Sequence, residues 1–495
     1  RLLQQRQPVA FQVVLLDDYL EIRPERADDI RRLIADGRLE IGPWYTLPDC
    51  ATPHGESIIR NLQFGVKRSL EYGDVLRCGY NVFSFGQIAQ LPQICSHFDI
   101  DVIIFYKYMN PARSKHPEFI WEAPDGTRAF ASRLGPEARW NYFFAGHIPI
   151  VYDRDPWHKD WRYEYGTLGK VIHTADPDGY GFFHEIVDPE TSFHEKNIEW
   201  GFERTLETVR DTIAPQSLLF FDGTDFTEPH PKTPDIIAAF QERFGDRYDI
   251  EHSKLATYLA ELKDTLADKR DELDVVTGPM RDGPVGSVHS DVVSVHPEIK
   301  LVNAKTETSL IRYAEPLSTV TWAMGIEEYP VTHFARAWKL LFQSHVHDSI
   351  HGLGPRELGE GVVARIRHAG HIADAVQRRA LTHLTKEIDT GSTDDAEAFL
   401  AVHNTAAFPR SEVVEAWVDV PAEIALDSLT IEDTDGRACE MQEIRREQTR
   451  AGIYHPRSRN MPFYCTRVQL LFQADDIPAM GYRTFKLKWT AKRDY

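Results

Sequence analysis

The stretch FQVVLLDDYLEIRPERADDIRRLIADGRLEIGPW, residues 11–44, predicts a strand, a helix and a second strand. Phe11–Leu16 is an apolar run of strand length, Arg26–Ile34 carries apolar residues at helical spacing, and Leu39–Trp44 is again strand-like. Two further runs of strand length follow before residue 231: Asp101–Tyr106 and Ser217–Phe221. Strands that alternate with helices predict an α/β layer with a parallel sheet or barrel, in which chemistry collects at the carboxyl ends of the strands.

After residue 248 the pattern changes to long segments with helical periodicity: Leu255–Leu266, Ala304–Met324, Thr332–Val346 and Arg356–Ile388. They predict a helical bundle. Beyond a polar linker at residues 391–395, three strand-like runs predict a small β-sandwich: Phe399–His403, Val413–Val420 and Arg467–Phe472. The predicted domains are therefore a barrel at 1–248, a helical bundle at 249–390 and a β-rich domain at 396–495.

Charge and cysteine content narrow the function classes. With 76 Asp and Glu against 56 Lys and Arg, the formal net charge is −20, which argues against nucleic acid or an anionic membrane surface as a partner. The longest apolar runs fall short of the roughly 18 residues that a membrane-spanning helix needs. Five cysteines without a CxxC pair fit thiols in a reducing cytoplasm. We therefore expect a cytoplasmic protein, with homo-oligomer formation left open.

The first candidate site is the run SHVHDSIHG, residues 344–352, at the end of a predicted helix. His347 and His351 are four residues apart and share one helical face, whereas His345 is displaced from both. Imidazole is the commonest zinc ligand, and Asp348 could orient such a ligand. Histidines at a helix end also serve as caps or packed surface residues, so both interpretations stay open.

The second candidate is FFDGTDFTEP, residues 220–229, where an apolar strand runs into acidic groups. A carboxylate there would be partly desolvated, and its raised pKa would suit general-acid catalysis. Alternatively, Asp222 and Asp225 accept hydrogen bonds within a turn. A third candidate, GYNVFSFGQIAQLP at residues 79–92, has the aromatic and amide groups that bind sugars, although a packed loop has the same composition.

Together these segments resemble glycoside hydrolase family 38, the retaining α-mannosidases. The resemblance extends to further blocks in the same order: LLDDYLEIRPE at 15–25, GRLEIGPWY at 37–45, GES at 55–57, RNL at 60–62, EPL at 315–317, AWK at 337–339 and HDSI at 347–350. It implies an N-terminal α/β barrel, a three-helix bundle and C-terminal β-sandwich domains, of which this chain holds the beginning.

The resemblance also implies roles for individual residues. His347 occupies a metal-ligand position, Asp225 resembles the acid/base, and Phe85 matches the aromatic residue beside the bound sugar. Lys107 stands where the family often has a substrate-binding arginine, and Asp348 belongs to the substrate-binding set. In the family, zinc grips the 2- and 3-hydroxyls of the sugar, so Zn²⁺ or another divalent cation is the implied cofactor.

Two departures from the family pattern affect the expected mechanism. The family nucleophile motif is Gly-Tyr-x-Pro-Asp-Ser-Phe-Gly-His, whereas residues 79–87 are GYNVFSFGQ, so Phe83 stands in place of the nucleophile. A phenyl ring can neither form a glycosyl ester nor bind zinc. The N-terminal His-x-His-x-Asp motif is also missing from the sequence, so three of the four family zinc ligands are not found in it.

These departures leave several functions open. The first is an α-mannosidase-like hydrolase with an altered mechanism, in which Glu185 supplies a second carboxylate or water attacks with inversion. The alternatives are a catalytically inactive carbohydrate-binding relative and a non-catalytic scaffold.

Overall fold

The structure is a computed structural model that describes residues 2–5, 9–81, 85–106, 109–134, 141–155, 169–173, 184–189, 192–222, 230–282, 292–391, 396–455 and 457–491. The chain divides into two compact units. Unit 1 comprises Arg1–Lys305 and Arg336–Ala369, and unit 2 comprises Thr306–Ala335 and Gly370–Tyr495. The domain boundaries predicted at residues 248, 390 and 395 stay predictions.

The helices and strands up to residue 277 follow one another in this order: β1 (Leu2–Gln5), β2 (Val9–Gln12), α1 (Val14–Ile22), α2 (Ala27–Ala35), β3 (Glu40–Trp44), α3 (Gly55–Tyr72), α4 (Leu91–Ser96), β4 (Val102–Phe105), β5 (Glu118–Glu122), β6 (Arg128–Arg133), α5 (Ile148–Tyr152), β7 (Gly169–His173), β8 (His184–Pro189), α6 (Ile198–Glu207), β9 (Leu218–Phe220), α7 (Thr233–Phe244), β10 (Ile250–Ser253), α8 (Leu255–Asp268) and β11 (Val275–Thr277). The remaining elements are α9 (Pro297–Thr308), a π-helical turn (Ser309–Ala314), α10 (Glu315–Ala323), α11 (Val331–His345), α12 (His347–His351), α13 (Arg356–Lys386), β12 (Ala398–Asn404), β13 (Arg410–Pro421), β14 (Leu426–Glu432), β15 (Met441–Ile453), β16 (Met461–Ile477) and β17 (Gly481–Ala491).

The opening prediction is partly wrong. The helix predicted at Arg26–Ile34 and the strand predicted at Leu39–Trp44 are confirmed as α2 and β3. Phe11–Leu16, however, is strand only as far as Gln12, and α1 begins at Val14. The N–H groups of Val13 and Val14 donate to the carbonyls of Trp44 and Tyr45, which satisfies donors that the start of a helix leaves unpaired.

Parallel strand pairs dominate the described sheets of unit 1. One sheet has the order β10-β1-β9 with both pairs parallel, and β2 pairs in parallel with β3. A four-stranded sheet, β11-β5-β6-β4, is parallel except for the β5–β6 pair. β7 and β8 form an antiparallel pair. The strands predicted at Asp101–Tyr106 and Ser217–Phe221 are confirmed as β4 and β9, so each carboxyl end lies where it was expected.

Helix α3 approaches strand β3 closely at Gly65. A Cβ atom at this position would lie 2.1 Å from the carbonyl oxygen of Pro43, so any larger residue would push the helix off the strand. The close approach lets Leu62 join Trp44 and Trp121 in one buried apolar cluster. The start of the third candidate segment, Gly79, packs against Ile103 of this same cluster.

The C-terminal sheets belong to unit 2 and contain all three predicted strands. β12, β17 and β14 form one antiparallel sheet, and β13, β16 and β15 form another. Both sheets contribute to one apolar core, in which Val418 and Phe472 meet Phe485. Also in unit 2, Leu317 on α10 packs against the end of α13. Among the helices that the structure describes, none has the length and apolarity needed to cross a membrane.

Asp17 on α1 holds several elements of unit 1 together. Its Oδ1 accepts hydrogen bonds from Arg68 Nε at 2.6 Å and from the Tyr72 hydroxyl at 2.9 Å, both on α3. Its Oδ2 accepts from Lys339 Nζ at 3.1 Å and from the Tyr45 hydroxyl at 3.2 Å. Burial alone would raise the pKa of Asp17, but the hydrogen bonds of Arg68 and Lys339 outweigh burial and hold this pKa below its ordinary value.

We expect Asp17→Asn to lower the free energy of unfolding by about 1.5–3 kcal/mol at neutral pH, because charge-assisted hydrogen bonds are lost. A carboxyl whose pKa is lowered in the folded state stabilises the protein above its ordinary pKa and loses this effect as the pH falls through the folded value. The gap between the variant and the parent should therefore close as the pH falls below about 4. Urea unfolding at several pH values measures this gap, with the exposed Asp28→Asn as the control. A gap that stays constant with pH would contradict the role of the Asp17 charge.

Candidate active site

Asp49 lies in the turn that follows the carboxyl end of β3. Its Oδ1 accepts hydrogen bonds from the N–H groups of Ala51 at 2.9 Å and Thr52 at 2.8 Å. Its Oδ2 accepts from the Phe85 N–H at 3.3 Å, and its own N–H donates to the His345 carbonyl oxygen at 2.9 Å. Through its carboxylate and its backbone N–H, Asp49 thus joins three segments that are far apart in the sequence.

Asp49 also contacts His351 within the interior. The Asp49 Oδ2 and His351 Nε2 atoms are 3.6 Å apart, and each side chain is only 1% exposed. Burial alone would raise the pKa of Asp49, but the hydrogen bonding and charge of His351 and the Thr52 N–H outweigh it, so this pKa lies below its ordinary value. Asp49 is therefore an anion at neutral pH.

The helix predicted at Thr332–Val346 is confirmed, and the histidine run lies at its end. α11 ends at His345, Val346 is extended, and α12 begins at His347. Val346 forms an isolated bridge with Pro48, so the chain breaks where it pairs with the turn that carries Asp49. The pairing itself is a tertiary contact, which helical periodicity does not reveal.

Phe85 lies between the two histidines that were predicted to share a face. Its ring centroid is 5.6 Å from that of His347 and 5.2 Å from that of His351, and the residue is 4% exposed. His345 is separate, as predicted: its Nε2–H donates to Asn303 Oδ1 on α9 at 2.8 Å. Burial lowers the pKa of His345 to about 3, so it is neutral at physiological pH.

The segment that contains Phe83 is anchored on both sides. The Asn81 side chain donates to Cys50 Sγ at 2.8 Å, and the Gln87 side chain donates to the Asn81 carbonyl oxygen at 2.5 Å. Gln87 also exchanges two backbone hydrogen bonds with Met280, each 3.0 Å long. Gly86 has a φ of +117°, and a Cβ atom there would lie 2.5 Å from Arg281 Cγ, so this position requires glycine.

The structure describes two of the five remaining predicted site residues, Glu185 and Asp348. Phe83, Lys107 and Asp225 lie outside the described residues. Glu185 lies in β8, opposite Ile172 of β7. Asp348 is largely exposed, with its Oδ1 3.6 Å from His347 Nε2. The catalytic, substrate-binding and metal-binding roles of these residues stay predictions.

Zinc is the cofactor that the resemblance to family 38 implies, and it would need ligands among the side chains around His347. Around His347 the structure describes the phenyl ring of Phe85 and the exposed carboxylate of Asp348. Within the described residues, no group of three or more His, Cys, Asp or Glu side chains is placed to hold a metal ion. A zinc site needs three or four such ligands, so the described residues alone do not fit zinc, and we derive no step through a metal.

A second polar cluster follows strand β9. Asp222 Oδ2 accepts a hydrogen bond from the Thr233 hydroxyl at 2.8 Å, and burial raises the pKa of Asp222 to about 6. Asp222 Oδ1 lies 3.6 Å from His147 Nδ1. Burial, and then the charge of His230, lower the pKa of His147 to about 3, so this contact is not an ion pair at neutral pH. The interior here favours neutral acids and bases.

Sequence reasoning missed Asp49, His147 and His230. Asp49 had one available signal, since it follows the carboxyl end of a correctly predicted strand. His147 ends a π-helical turn, Phe143–His147, and packs edge-to-face on His230 with ring centroids 4.8 Å apart. No pattern in the sequence brings these two histidines together.

Comparison with known proteins identifies the class to which this fold and site belong. Residues 5–277 match the family model described as "Glycosyl hydrolases family 38 N-terminal domain". Because this match covers more than half of the chain, the protein belongs to glycosyl hydrolase family 38.

Individual relatives carry related names. The chain is 27% identical over 355 residues to a "Putative mannosylglycerate hydrolase" of Halalkalibacterium halodurans, covering 69% of this chain and 34% of that protein. It is 32% identical over 108 residues to "Alpha-mannosidase G" of Dictyostelium discoideum, covering 21% of this chain and 10% of that protein.

Among solved structures, the fold matches an alpha-mannosidase from Enterococcus faecalis with a TM-score of 0.78 at 22% identity, covering 99% of this chain and 52% of that one. At this identity the likeness establishes the fold alone. The chain spans about a third of the length of the Halalkalibacterium relative and about half of the Enterococcus structure.

We expect Asp49→Asn to lower the free energy of unfolding by about 1–3 kcal/mol, because an amide cannot replace the anion that three N–H groups and His351 surround. The matched control is Asp125→Asn, since Asp125 makes the same kind of turn hydrogen bond to Thr127 on the surface. Urea unfolding measures both variants. Equal effects of the two substitutions would show that burial of Asp49 adds nothing.

Asp222→Asn should have the opposite effect at neutral pH. A carboxyl whose pKa is raised on folding gives full stability below its ordinary pKa of 3.8 and loses it as the pH rises through about 6. The asparagine does not ionise, so the variant should exceed the parent in stability at pH 8 by at most about 3 kcal/mol, with no gain below pH 4. Melting temperatures from pH 4 to 8 test this, with the exposed Asp235→Asn as the control. A variant that is less stable at every pH would contradict the raised pKa.

Proposed function

We propose that this protein is an α-mannosidase-like glycoside hydrolase that acts on an α-linked mannoside or a related sugar, with mannosylglycerate among the candidate substrates. The observation that carries the proposal is the cluster in which Phe85 packs between His347 and His351 beside the Asp49 anion. By resemblance to family 38, we propose that Phe85 lies beside the bound sugar and that His347 takes a metal-ligand position.

The proposed residues follow the carboxyl ends of strands with parallel partners. Asp49 follows β3, Lys107 follows β4, and Asp225 follows β9. This end of a parallel layer is where α/β enzymes carry their chemistry. In the proposal, Lys107 and Asp348 bind sugar hydroxyls, and Asp225 donates a proton to the leaving oxygen.

The proton-donor role of Asp225 draws support from its neighbour Asp222. A general acid needs a carboxyl that stays protonated near the working pH. Burial raises the pKa of Asp222, three residues before Asp225, to about 6. The strand end at Asp222 thus lies where burial favours the neutral carboxyl.

Phe83 changes how the glycosidic bond can be broken. A covalent glycosyl ester cannot form on a phenyl ring, so the proposed reaction uses a water molecule that attacks the anomeric carbon from the opposite face. Glu185 is the proposed base for that water. Such an inverting reaction requires about 6.5–9.5 Å between the two carboxyl groups, to leave room for the water.

Phe83 also favours a second candidate, a carbohydrate-binding relative without turnover. In that protein the aromatic and amide groups of residues 79–87 would bind the sugar, and no bond would be broken. A non-catalytic scaffold would show neither binding nor turnover.

The proposal includes finer features of the organisation. They are a closed α/β barrel, a three-helix bundle, a β-sandwich that begins with the C-terminal sheets, and Zn²⁺ or another divalent cation as cofactor. A cytoplasmic location agrees with five cysteines that form no disulfide. Absence of nucleic acid and membrane partners, and assembly into a homo-oligomer, belong to the same proposal.

We expect purified protein to hydrolyse 4-nitrophenyl α-mannoside, and Asp225→Asn to lower kcat/KM at least about 100-fold, the usual contribution of general-acid catalysis. With 2,4-dinitrophenyl α-mannoside the loss should be much smaller, because that leaving group needs no proton. Proton NMR of the first product should show inversion. The metal content of the same preparation is measured in parallel.

Control and contradicting outcomes separate the candidates. Asp235→Asn, an exposed change on α7, should keep the parent rate. Retention of configuration would rule out direct attack by water. Sugar binding without hydrolysis would establish the binding relative, and absence of both would leave the scaffold.

A further inference from the structure

The outward face of the sheet β13-β16-β15 in unit 2 presents a large aromatic side chain to solvent. Trp417 on β13 is 50% exposed. In the strand register it lies opposite Gln469 of β16, which in turn lies opposite Arg445 of β15. On one side of this row, the β13–β16 pair is Asp419 and Arg467. Such a row of side chains across three strands forms a continuous outward surface.

The indole ring is held in place by its polar edge. Trp417 Nε1 donates to Glu415 Oε1 at 3.0 Å, and Gln469 Nε2 donates to the same oxygen at 2.8 Å. Glu415 and Trp417 are two residues apart on one strand, so they share a face, and the bond draws the ring edge along that strand. Half exposure agrees with one ring face covered by the sheet and the other open to solvent.

Polar groups in fixed positions flank the ring. Arg467 makes two hydrogen bonds to Asp419, each 2.7 Å long, and Arg445 pairs with Glu447. Each guanidinium on this part of the described surface is therefore compensated by a carboxylate. Since Glu415 adds a further negative charge, the surface offers little attraction for an anionic ligand such as nucleic acid.

We propose that the surface formed by Glu415, Trp417, Asp419, Arg467 and Gln469 binds a neutral saccharide. The apolar face of a pyranose ring stacks on the open face of Trp417, and its hydroxyls bond to the Gln469 amide, the Glu415 carboxylate and the Asp419–Arg467 pair. Pre-positioned side chains reduce the entropy lost on binding, and an aromatic plate with a few polar groups fixes both location and orientation. The inference goes beyond the proposed function and requires no turnover.

Another exposed tryptophan in the same unit offers a matched control. Trp322 is 58% exposed, but it lies on helix α10 and not on a sheet. If exposed indole rings bound sugars without further requirements, both tryptophans would contribute. The proposal assigns binding to Trp417 alone, because its ring stands among hydrogen-bonded polar partners on a sheet face.

Affinity electrophoresis of the full chain in gels that contain yeast α-mannan, galactomannan or hydroxyethyl cellulose tests the proposal. We expect at least one polysaccharide to retard the parent, Trp417→Ala to weaken that affinity at least about tenfold, and Trp417→Phe to keep most of it, since stacking needs a ring. Trp322→Ala should match the parent. Melting temperatures establish that each variant is folded.

A second set of variants separates this surface from the candidate active site. Asp225→Asn should bind polysaccharide as the parent does, whereas loss in Asp225→Asn but not in Trp417→Ala would overturn the proposal. So would absence of retardation in all three gels, or equal retardation of Trp417→Ala and the parent. A Trp417-dependent change of mass in light scattering would assign the face to a second copy instead. If the protein binds sugar through Trp417 but hydrolyses no mannoside, the proposed hydrolase function is wrong and the saccharide surface at Trp417 stands.

Discussion

The buried carboxylate of Asp49 is the constraint on which the candidate site depends. Three backbone N–H groups and His351 surround it, and they come from the turn after β3, from the Phe83 segment and from α12. A buried charge is tolerated only when hydrogen bonds and charges compensate the loss of water. Each of these segments is therefore held where the carboxylate needs it. Phe85 meets the two histidines of α12 because all of them are fixed relative to one anion.

The two buried aspartates show how partners decide the charge of one side-chain type. Asp49 and Asp222 both lose water on burial, which favours the neutral acid. The N–H donors and His351 stabilise the Asp49 anion by more than burial destabilises it, so the pKa of Asp49 falls. Asp222 has the single hydroxyl of Thr233 and a neutral His147, so its pKa rises. One strand end thus supplies a carboxylate that is charged at neutral pH, and another supplies a carboxyl whose pKa is raised to about 6.

The sequence predicts a helix or a strand well where the spacing of its apolar residues fits only one of the two. α2 and α13 have clear apolar faces, and β4 and β9 are bounded apolar runs. Phe11–Leu16 fails because a run of five apolar residues and one glutamine fits a strand and a buried helix turn equally well. The end of α11 near Val346 follows from periodicity, whereas the bridge between Val346 and Pro48 does not. The partners of Asp49 were equally out of reach, since Thr52 and His351, which meet beside it, are 299 positions apart.

The hydrolase and the binding relative share the same ground-state contacts. Phe85, His347 and the anchors at Asn81 and Gln87 would position a sugar in either protein. They differ only in what stabilises the transition state, because contacts of equal strength in both states lower KM without raising kcat. A saccharide surface at Trp417 would likewise contribute to substrate binding and not to stabilisation of the transition state. It would raise affinity for polysaccharides and would leave the turnover of a small glycoside to the carboxyls alone.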